Sequence, residues 1–350
     1  MTKQLDWHKN AIALENAGVM SRRDIARTLG VKRSTCLDFL RAYSSALAES
    51  RDGEDRVGEM YYEPANKPSK ISGKDVFNIV TDPTKSEGTH LFISDTQVKP
   101  GVNLEYLDWL GQYIVRKQPD VIIHVGDHAD MFSLSSYDKG KKAAEGKRVQ
   151  DDIDASIEGM RVLLQPLYDM QQYQLKETGK IEYKPRLVLT LGNHEDRINR
   201  HVESNPELFG FLSVDDLRYE DFGWEVVPFL TPIEVGGIYY CHYFPNVMSG
   251  KPLSGTAANM LKTIGKSFSM GHRQVLDVST RFTQADGSQQ WGLVSGAYYD
   301  HQEGYKGVQG NHHWRGCVLK HNVKNGSYDP LFVSLEWLRK EYSENNNGNN

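Results

Sequence analysis

The chain has 350 residues, 39% of them hydrophobic and 25% charged, a balance that permits a sizeable buried core and excludes a fibrous or wholly disordered polypeptide. A formal net charge of −5 excludes a protein that coats nucleic acid by bulk charge, although a local basic patch can hide in that average. No run approaches the roughly 20 apolar residues of a membrane helix, and the Met-Thr-Lys-Gln start lacks the apolar stretch of a secretory signal, so a cytoplasmic protein with no membrane partner is expected.

In chain order, the first 50 residues hold Lys3, Lys9, Arg22, Arg23, Arg27, Lys32, Arg33 and Arg41 against Asp6, Glu15, Asp24, Asp38 and Glu49, a basic segment in an acidic chain. Ser21-Arg-Arg-Asp24 reads as a capping box ahead of Ile25, Ala26 and Leu29 at helical spacing. Gly30-Val31 then predicts a turn, and Leu37 with Leu40 a second helix. Residues 24–35 resemble the helix-turn-helix of DNA-binding regulators and recombinases. That resemblance implies DNA as a partner. Lys32, Arg33, Ser34 and Thr35 would open the recognition helix, and Arg22, Arg23 and Arg27 would add basic contacts. A small helical bundle docking on another protein would carry the same pattern.

Residues 51–88 are polar and punctuated by Gly53, Gly58, Pro64, Pro68, Gly73, Pro83 and Gly88, which predicts a linker in which only residues 76–80 read as structured. A larger domain is expected over residues 89–340, and the Asn-rich residues 341–350 read as a disordered tail. The domain opens β-α-β: a strand over 90–94, a helix over 104–117 with Leu107, Leu110 and Ile114 on one face, and a strand over 120–125. A long helix over about 152–176 precedes a strand at 186–191, and the chain turns helical again after Glu195. From Trp224 it becomes strand-rich, with runs at 238–242, 275–283, 291–294, 318–323 and 331–335. The Asp286-Gly287 and Asn325-Gly326 turns predict a second sheet built of hairpins. The expected fold class is α/β, two packed mixed sheets flanked by helices, preceded by a small all-α module over residues 1–50.

Each of the first three strand runs ends in oxygen donors. His90-Leu-Phe-Ile-Ser94 leads into Asp95-Thr-Gln97, Asp120-Val-Ile-Ile-His-Val125 into Gly126-Asp-His-Ala-Asp130, and Arg186-Leu-Val-Leu-Thr-Leu191 into Gly192-Asn-His-Glu195. In open α/β sheets the carboxyl ends of the strands are where ligands bind. Singly these residues are weak signals, since Asp95 and Asp127 also suit helix N-caps and His242 a satisfied core histidine. With Tyr240-Cys-His242 and Gly271-His-Arg-Gln274 the series resembles the calcineurin-like metallophosphoesterases, which include the Mre11/SbcD nucleases and the serine/threonine phosphatases. The resemblance spans roughly residues 89–335 and rests on five motifs in the family's order.

The resemblance implies that Asp127 bridges two divalent metal ions. Asn193, His242 and His272 would complete one position, and Asp95 with Gln97 and Gln274 the other. His194 would face the substrate as acid or charge stabiliser, with His128 and Asp130 as orienting partners of the ligands. Positions 97 and 274 depart from the family pattern, which has histidine at both. Two carboxamide oxygens make that position harder and weaker, so Mn²⁺ or Mg²⁺ is favoured over Zn²⁺ and the second ion is expected to arrive with substrate.

An insertion over 131–150 carries Lys139, Lys141, Lys142, Lys147 and Arg148 and is placed by its strand on the site rim, with Arg197 beyond it. A basic flap there would track a polyanion. The expected function is a metal-dependent phosphodiesterase, a DNA nuclease positioned by its N-terminal module. The alternatives are a phosphatase or phosphodiesterase on nucleotides or phosphoproteins, and a DNA-binding regulator with a silent phosphoesterase domain. The combined architecture resembles metallophosphoesterases of bacteriophage genomes.

Overall fold

The computed structural model describes residues 22–29, 76–136, 145–303 and 311–343, with the single residues Ala11, Cys36 and Leu40. The chain divides into two compact units, Met1–Lys70 with Asn205–Ser213, and Ile71–Ser204 with Val214–Asn350. In the first unit, α1 (Arg22–Leu29) begins and ends where the capping box and Gly30 place it. Its Ile25 and Ala26 are buried in one cluster with Ala11, Cys36 and Leu40, and Leu29 packs against them. The predicted turn and recognition residues Lys32, Arg33, Ser34 and Thr35 lie outside the described residues, as do the side chains of Arg22 and Arg23. Arg27 is exposed.

The second unit starts as the periodicity predicts. β1 (Gly88–Ile93), α2 (Glu105–Lys117), β2 (Val121–His124), α3 (Val149–Thr178) and β3 (Arg186–Thr190) follow in order, then α4 (Asp196–Ser204) and the short β4 (Glu225–Val227). The second half adds β5 (Ile233–Val235), β6 (Ile238–Tyr240), α5 (Ala257–Ile264), β7 (Phe268–Met270), β8 (Asp277–Phe282), β9 (Gln289–Val294), β10 (Gly316–Lys324), β11 (Ser327–Ser334) and α6 (Leu335–Ser343). They form a six-stranded sheet ordered β11-β10-β1-β2-β3-β4 and a five-stranded sheet ordered β5-β6-β7-β9-β8. Both are mixed, with β1, β2, β3 and β4 mutually parallel and β6, β7 and β9 likewise.

The inner faces meet in a core of Phe92, Val121, Ile123, Val125, Val188, Val318 and Tyr328 from the first sheet with Val235, Ile238, Tyr240 and Leu293 from the second. The outer face of the first sheet lies under helices, so β1 and β2 are buried on both faces and read as continuous apolar runs. α2 and α3 cross closely at Gly111, where a Cβ would stand 2.4 Å from the Leu163 carbonyl oxygen.

The expected second sheet needs a correction. The β10–β11 hairpin, with its Asn325-Gly326 turn, joins the first sheet through antiparallel pairing of β10 to β1, His90 opposite Lys320. A hairpin signal fixes the local partner of a strand and leaves open which distant edge the pair closes. The second sheet is also centred on parallel strands rather than hairpins alone. Its β5 and β7, like β4 of the first sheet, are three residues long, too short to show a period.

Residues 51–75 of the expected linker lie outside the described residues. Residues 76–80 are structured without being helix or strand: Val80 N–H donates to Gln171 Oε1 at 2.9 Å, Ile79 N–H donates to the Phe222 carbonyl at 3.2 Å, and Phe77 stacks on Tyr168 at 4.3 Å. At the other end α6 runs through Ser343, and residues 344–350 lie outside the described residues. Among the described residues no helix is long and apolar enough to cross a membrane.

Candidate metal centre

The ends of β1, β2, β3, β6 and β7 bring the five motifs to one edge. Each chain turns sharply as it leaves its strand: Asp95 (φ 48°), Gln97 (φ 43°), Asp127 (φ 51°), His272 (φ 64°) and Gln274 (φ 54°) all occupy the left-handed region. Such backbone costs about 1–3 kcal/mol per residue and persists only where its surroundings over-determine it. Here they do. Asp95 N–H donates to the Gly126 carbonyl at 3.2 Å, Gln97 N–H to the Asp127 carbonyl at 2.9 Å, Gly271 N–H to the His242 carbonyl at 3.1 Å, and His272 N–H to Asp95 Oδ2 at 3.0 Å. Glycine is required where the loops touch, since a Cβ on Gly192 would stand 2.2 Å from Asp127 Oδ1.

One half of the centre carries nitrogen. Asn193 Oδ1 lies 2.9 Å from His242 Nε2 and 2.7 Å from His272 Nδ1, and Asp127 Oδ2 lies 3.4 Å from His242 Nε2. Ligand atoms of Asp127, His242 and His272 all fall within 4.8 Å of one another. His242 Nδ1 stands 2.7 Å from the Val125 carbonyl, an acceptor, which assigns the ring proton to Nδ1 and turns the Nε2 lone pair toward the Asn193 oxygen. Two lone-pair atoms facing each other call for a cation between them. Burial pulls His242 down, but the Asp127 carboxylate overrides it and raises the imidazole to about 9, so a proton takes that role when no metal does. Burial, and then the His242 charge, hold His272 at about 4. Asp127 is pushed upward by burial, yet His194 and His242 outweigh this and keep its carboxyl far below the ordinary range.

The other half carries only oxygen. Asp95 is wholly buried, with Oδ2 accepting from the Ser94 hydroxyl and from His272 N–H. Among the described residues its Oδ1 has no hydrogen-bond partner, and neither has the buried Gln97 Oε1. Orphaned buried oxygens are rare in folded proteins and mark a place for a further ligand. Burial, then the charge of Asp127, raise Asp95 to about 6. Gln274 Oε1 accepts from the Tyr299 hydroxyl at 3.0 Å. The residues present therefore fit divalent cations, with Asp127 common to both halves.

Around this centre the structure distributes the remaining predicted residues unequally. His194 Nδ1 stands 2.8 Å from Asp130 Oδ1, and its Nε2 lies 3.1 Å from Arg197 Nη2 and 3.8 Å from Asp127 Oδ2. Asp130 thus orients His194 rather than a ligand. Arg197 is fixed by the carbonyl of Asp130 at 2.8 Å and lies inside the site, not on an open rim. The His128 ring turns away, to Thr96 Oγ1 at 2.8 Å and the Ser156 carbonyl at 3.0 Å, and touches no candidate ligand side chain. Lys147 and Arg148 are exposed just before and at the start of α3, Lys147 lying over the Phe132 ring at 4.9 Å. Lys139, Lys141 and Lys142 lie outside the described residues.

Sequence reasoning missed two roles. Glu195 is fully buried and accepts from the backbone N–H of Asp127 (2.9 Å), His128 (2.7 Å), Ala129 (2.9 Å) and Gly192 (2.9 Å), clamping the loop after β2 to the loop after β3. Its place in Gly192-Asn-His-Glu195 was a signal, but only coordinates show what it grips. Tyr299, which holds Gln274, carries no signal because it is 25 residues away in sequence.

Residues 89–255 match the family model described as calcineurin-like phosphoesterase. The match includes four of the five motifs, and Gly271-His272-Arg-Gln274 lies beyond it. The gene 54 protein of Mycobacterium phage L5 is 28% identical over 185 residues, covering 51% of this chain and 66% of the relative. The gene 54 protein of Mycobacterium phage D29 is 24% identical over the same extent. The chain thus spans a little under two thirds of the length of these relatives. Among solved structures, Yfce, a phosphoesterase from E. coli, is 9% identical, with 70% of this chain and 100% of that one covered at a TM-score of 0.31. A point mutant of a cold-active protein tyrosine phosphatase is 11% identical, with coverages of 78% and 89% and a TM-score of 0.30.

Proposed function

We propose that the chain, whose residues 89–255 match the calcineurin-like phosphoesterase family model, is a metal-dependent phosphodiesterase acting on DNA, and that it uses two divalent ions, Mn²⁺ or Mg²⁺ in preference to Zn²⁺. The observation that carries the hydrolytic part is the convergence of Asn193 Oδ1, His242 Nε2 and His272 Nδ1 within 2.9 Å contacts, beside Asp127 and the orphaned Asp95 oxygen. Divalent ions bound there would supply Lewis-acid polarisation of the phosphoryl oxygens and lower the pKa of an attacking water.

The protein's own groups manage charge and protons. His194 is pulled down by burial but raised overall above its ordinary value by Asp127 and Asp130, which suits a group that carries a proton to a leaving oxygen at neutral pH. Asp130 accepts from Nδ1–H and leaves Nε2 as the working nitrogen. Arg197, next to Nε2, supplies a fixed positive charge for a non-bridging phosphate oxygen.

DNA as substrate is supported by the basic N-terminal segment with its exposed Arg27 and by Lys147 and Arg148 at the head of α3. Titrating Mn²⁺ into the protein with linear duplex DNA, a chromogenic phosphodiester and a chromogenic phosphomonoester side by side tests the reading. DNA and diester cleavage are expected. Monoester release alone would identify a phosphatase, and silence on all three a regulator.

A further inference from the structure

After His242 the chain runs through Tyr243 and Phe244 into a tight loop that the hydrolytic chemistry does not use. Pro245 bridges Pro252, Leu253 N–H donates to the Phe244 carbonyl at 2.9 Å, Asn246 N–H to the Lys251 carbonyl at 2.8 Å, and Gly250 N–H to the Asn246 carbonyl at 2.8 Å. Asn246 Oδ1 accepts from Met248 N–H at 2.9 Å. So tied, the loop holds Val247 and Met248 at its tip, 97% and 90% exposed, against 76% for the next most exposed large hydrophobic residue among those described. Single exposed apolar side chains are ordinary, but two neighbours on the tip of an internally bonded loop present a small apolar surface with nothing of the chain against it. Val247 lies five residues from His242, a reach of at most about 18 Å. The far end of the loop is latched to the other histidine-bearing turn, since Arg273, next to His272, donates to the Gly255 carbonyl.

The charge around this tip has one sign. Residues 235–276 contain no Asp or Glu but carry Lys251, Lys262, Lys266 and Arg273, in a chain of net charge −5. All of these cations are exposed. The carboxylates that bound the stretch are turned to backbone: Glu234 accepts from Gly237 N–H, and Asp277 from Ala257 N–H at 2.8 Å. We propose that the loop is a second part of the substrate site, in which Val247 and Met248 lie against the faces of unpaired bases while Lys251 and Arg273 hold the adjoining phosphates. The preferred substrate is then DNA with unpaired bases, a single strand or an open end, rather than intact duplex. This rests on the DNA phosphodiesterase reading for the polymer, and adds which form of it is selected.

The chemistry follows from the side chains. A base released from its stack shows a flat apolar face, and its backbone stays anionic, so apolar side chains set among cations suit it where a paired, stacked base offers no such face. A lipid surface also joins apolar and anionic groups, but a side-chain pair buries far less there than the apolar face of an interfacial helix. The place of the loop, between the turns of His242 and His272, puts any base it holds beside the phosphates that the centre would receive.

The test uses the full-length chain, kept in chelator so that no DNA is cut. Binding is read by fluorescence anisotropy with a short single strand, a duplex with mismatched terminal pairs, and a fully paired duplex of the same length with G·C pairs at both ends. The wild type is expected to bind the single strand and the open-ended duplex more tightly than the paired one. Val247→Ser with Met248→Ser is expected to reduce that preference about tenfold, and Met248→Leu to keep it. Lys251→Gln is expected to lower the slope of log affinity against log salt by about 0.7 on the single strand. Equal affinity of the wild type for open and paired DNA would overturn the proposal, as would a preference untouched by the double substitution or a salt slope untouched by Lys251→Gln. Tip-dependent binding to vesicles of phosphatidylserine and phosphatidylcholine that exceeds binding to any DNA would overturn it too. If, with Mn²⁺ restored, DNA is cleaved with no preference for unpaired bases, this inference fails and the phosphodiesterase reading stands. If the open probes bind through the tip and no DNA is cleaved, the reverse holds.

Discussion

Nδ1 of His194 stands 2.8 Å from Oδ1 of Asp130, and this contact fixes which nitrogen of the imidazole is turned toward the candidate centre. With Nδ1–H committed to the carboxylate, Nε2 is turned toward the candidate centre, 3.8 Å from Asp127 Oδ2 and accepting from Arg197 Nη2 at 3.1 Å. The pair couples the tip of β2 to the tip of β3.

His194 is therefore expected to matter to turnover and not to metal retention. Replacing His194 by Asn should lower kcat about 10²–10⁴-fold, the usual worth of a positioned proton donor, with bound metal unchanged. Asp130→Asn should cost less, about 10–100-fold, and move the alkaline limb of the pH–rate profile downward, because the carboxylate is one of the groups that raise His194. Steady-state kinetics with metal analysis on the same samples checks both. Loss of metal in His194→Asn would make it a ligand instead.

In the metal-free protein His242 is raised to about 9, against an ordinary value of 6.5. A raised folded-state value stabilises the fold fully below the unfolded value, and that stability is lost as pH climbs through the folded one. The thermal midpoint of chelator-treated protein should thus fall between about pH 6.5 and 9 on account of this group. Metal must displace the same proton, so binding near pH 7.5 should release close to one proton at the nitrogen half and tighten as pH rises. Calorimetry in buffers of different ionisation enthalpy reads the proton count. A count of zero would remove His242 from the ligand set.

Glu195→Gln should destabilise the domain by about 2–4 kcal/mol, because one carboxamide oxygen cannot accept from four backbone donors and its NH₂ would face some of them. In a domain of this size the thermal midpoint falls roughly 2–4 °C per kcal/mol. An unchanged midpoint would show that the clamp contributes little.

Gly192→Ala places a methyl 2.2 Å from Asp127 Oδ1 and 2.3 Å from Asp127 N. The two loops must part, so metal affinity should drop at least tenfold while far-ultraviolet circular dichroism keeps its native shape. Retention of wild-type affinity by this variant would mean that the loop contact does not set the position of Asp127.

Much of this was legible in the sequence because the informative signals were local. The runs ending at Asp95, Asp127 and Asn193 became β1, β2 and β3, and the Asp286-Gly287 and Asn325-Gly326 turns both close hairpins. Long-range choices were not legible. Nothing in β10 says that it pairs with β1, and β4, β5 and β7 are too short to show a period. At the site, residue type and order picked out the candidate ligands, whereas the inward turn of Arg197, the outward turn of His128 and the grip of Tyr299 on Gln274 depend on packing between distant segments.

The most direct measurement is anomalous scattering from crystals of the protein grown with Mn²⁺. The account predicts a metal peak about 2.0–2.3 Å from Asp127, Asn193 Oδ1, His242 Nε2 and His272 Nδ1, with a second peak against Asp95 Oδ1 and Gln97 Oε1. No peak at either position, or metal bound elsewhere while these side chains keep only one another, would contradict it.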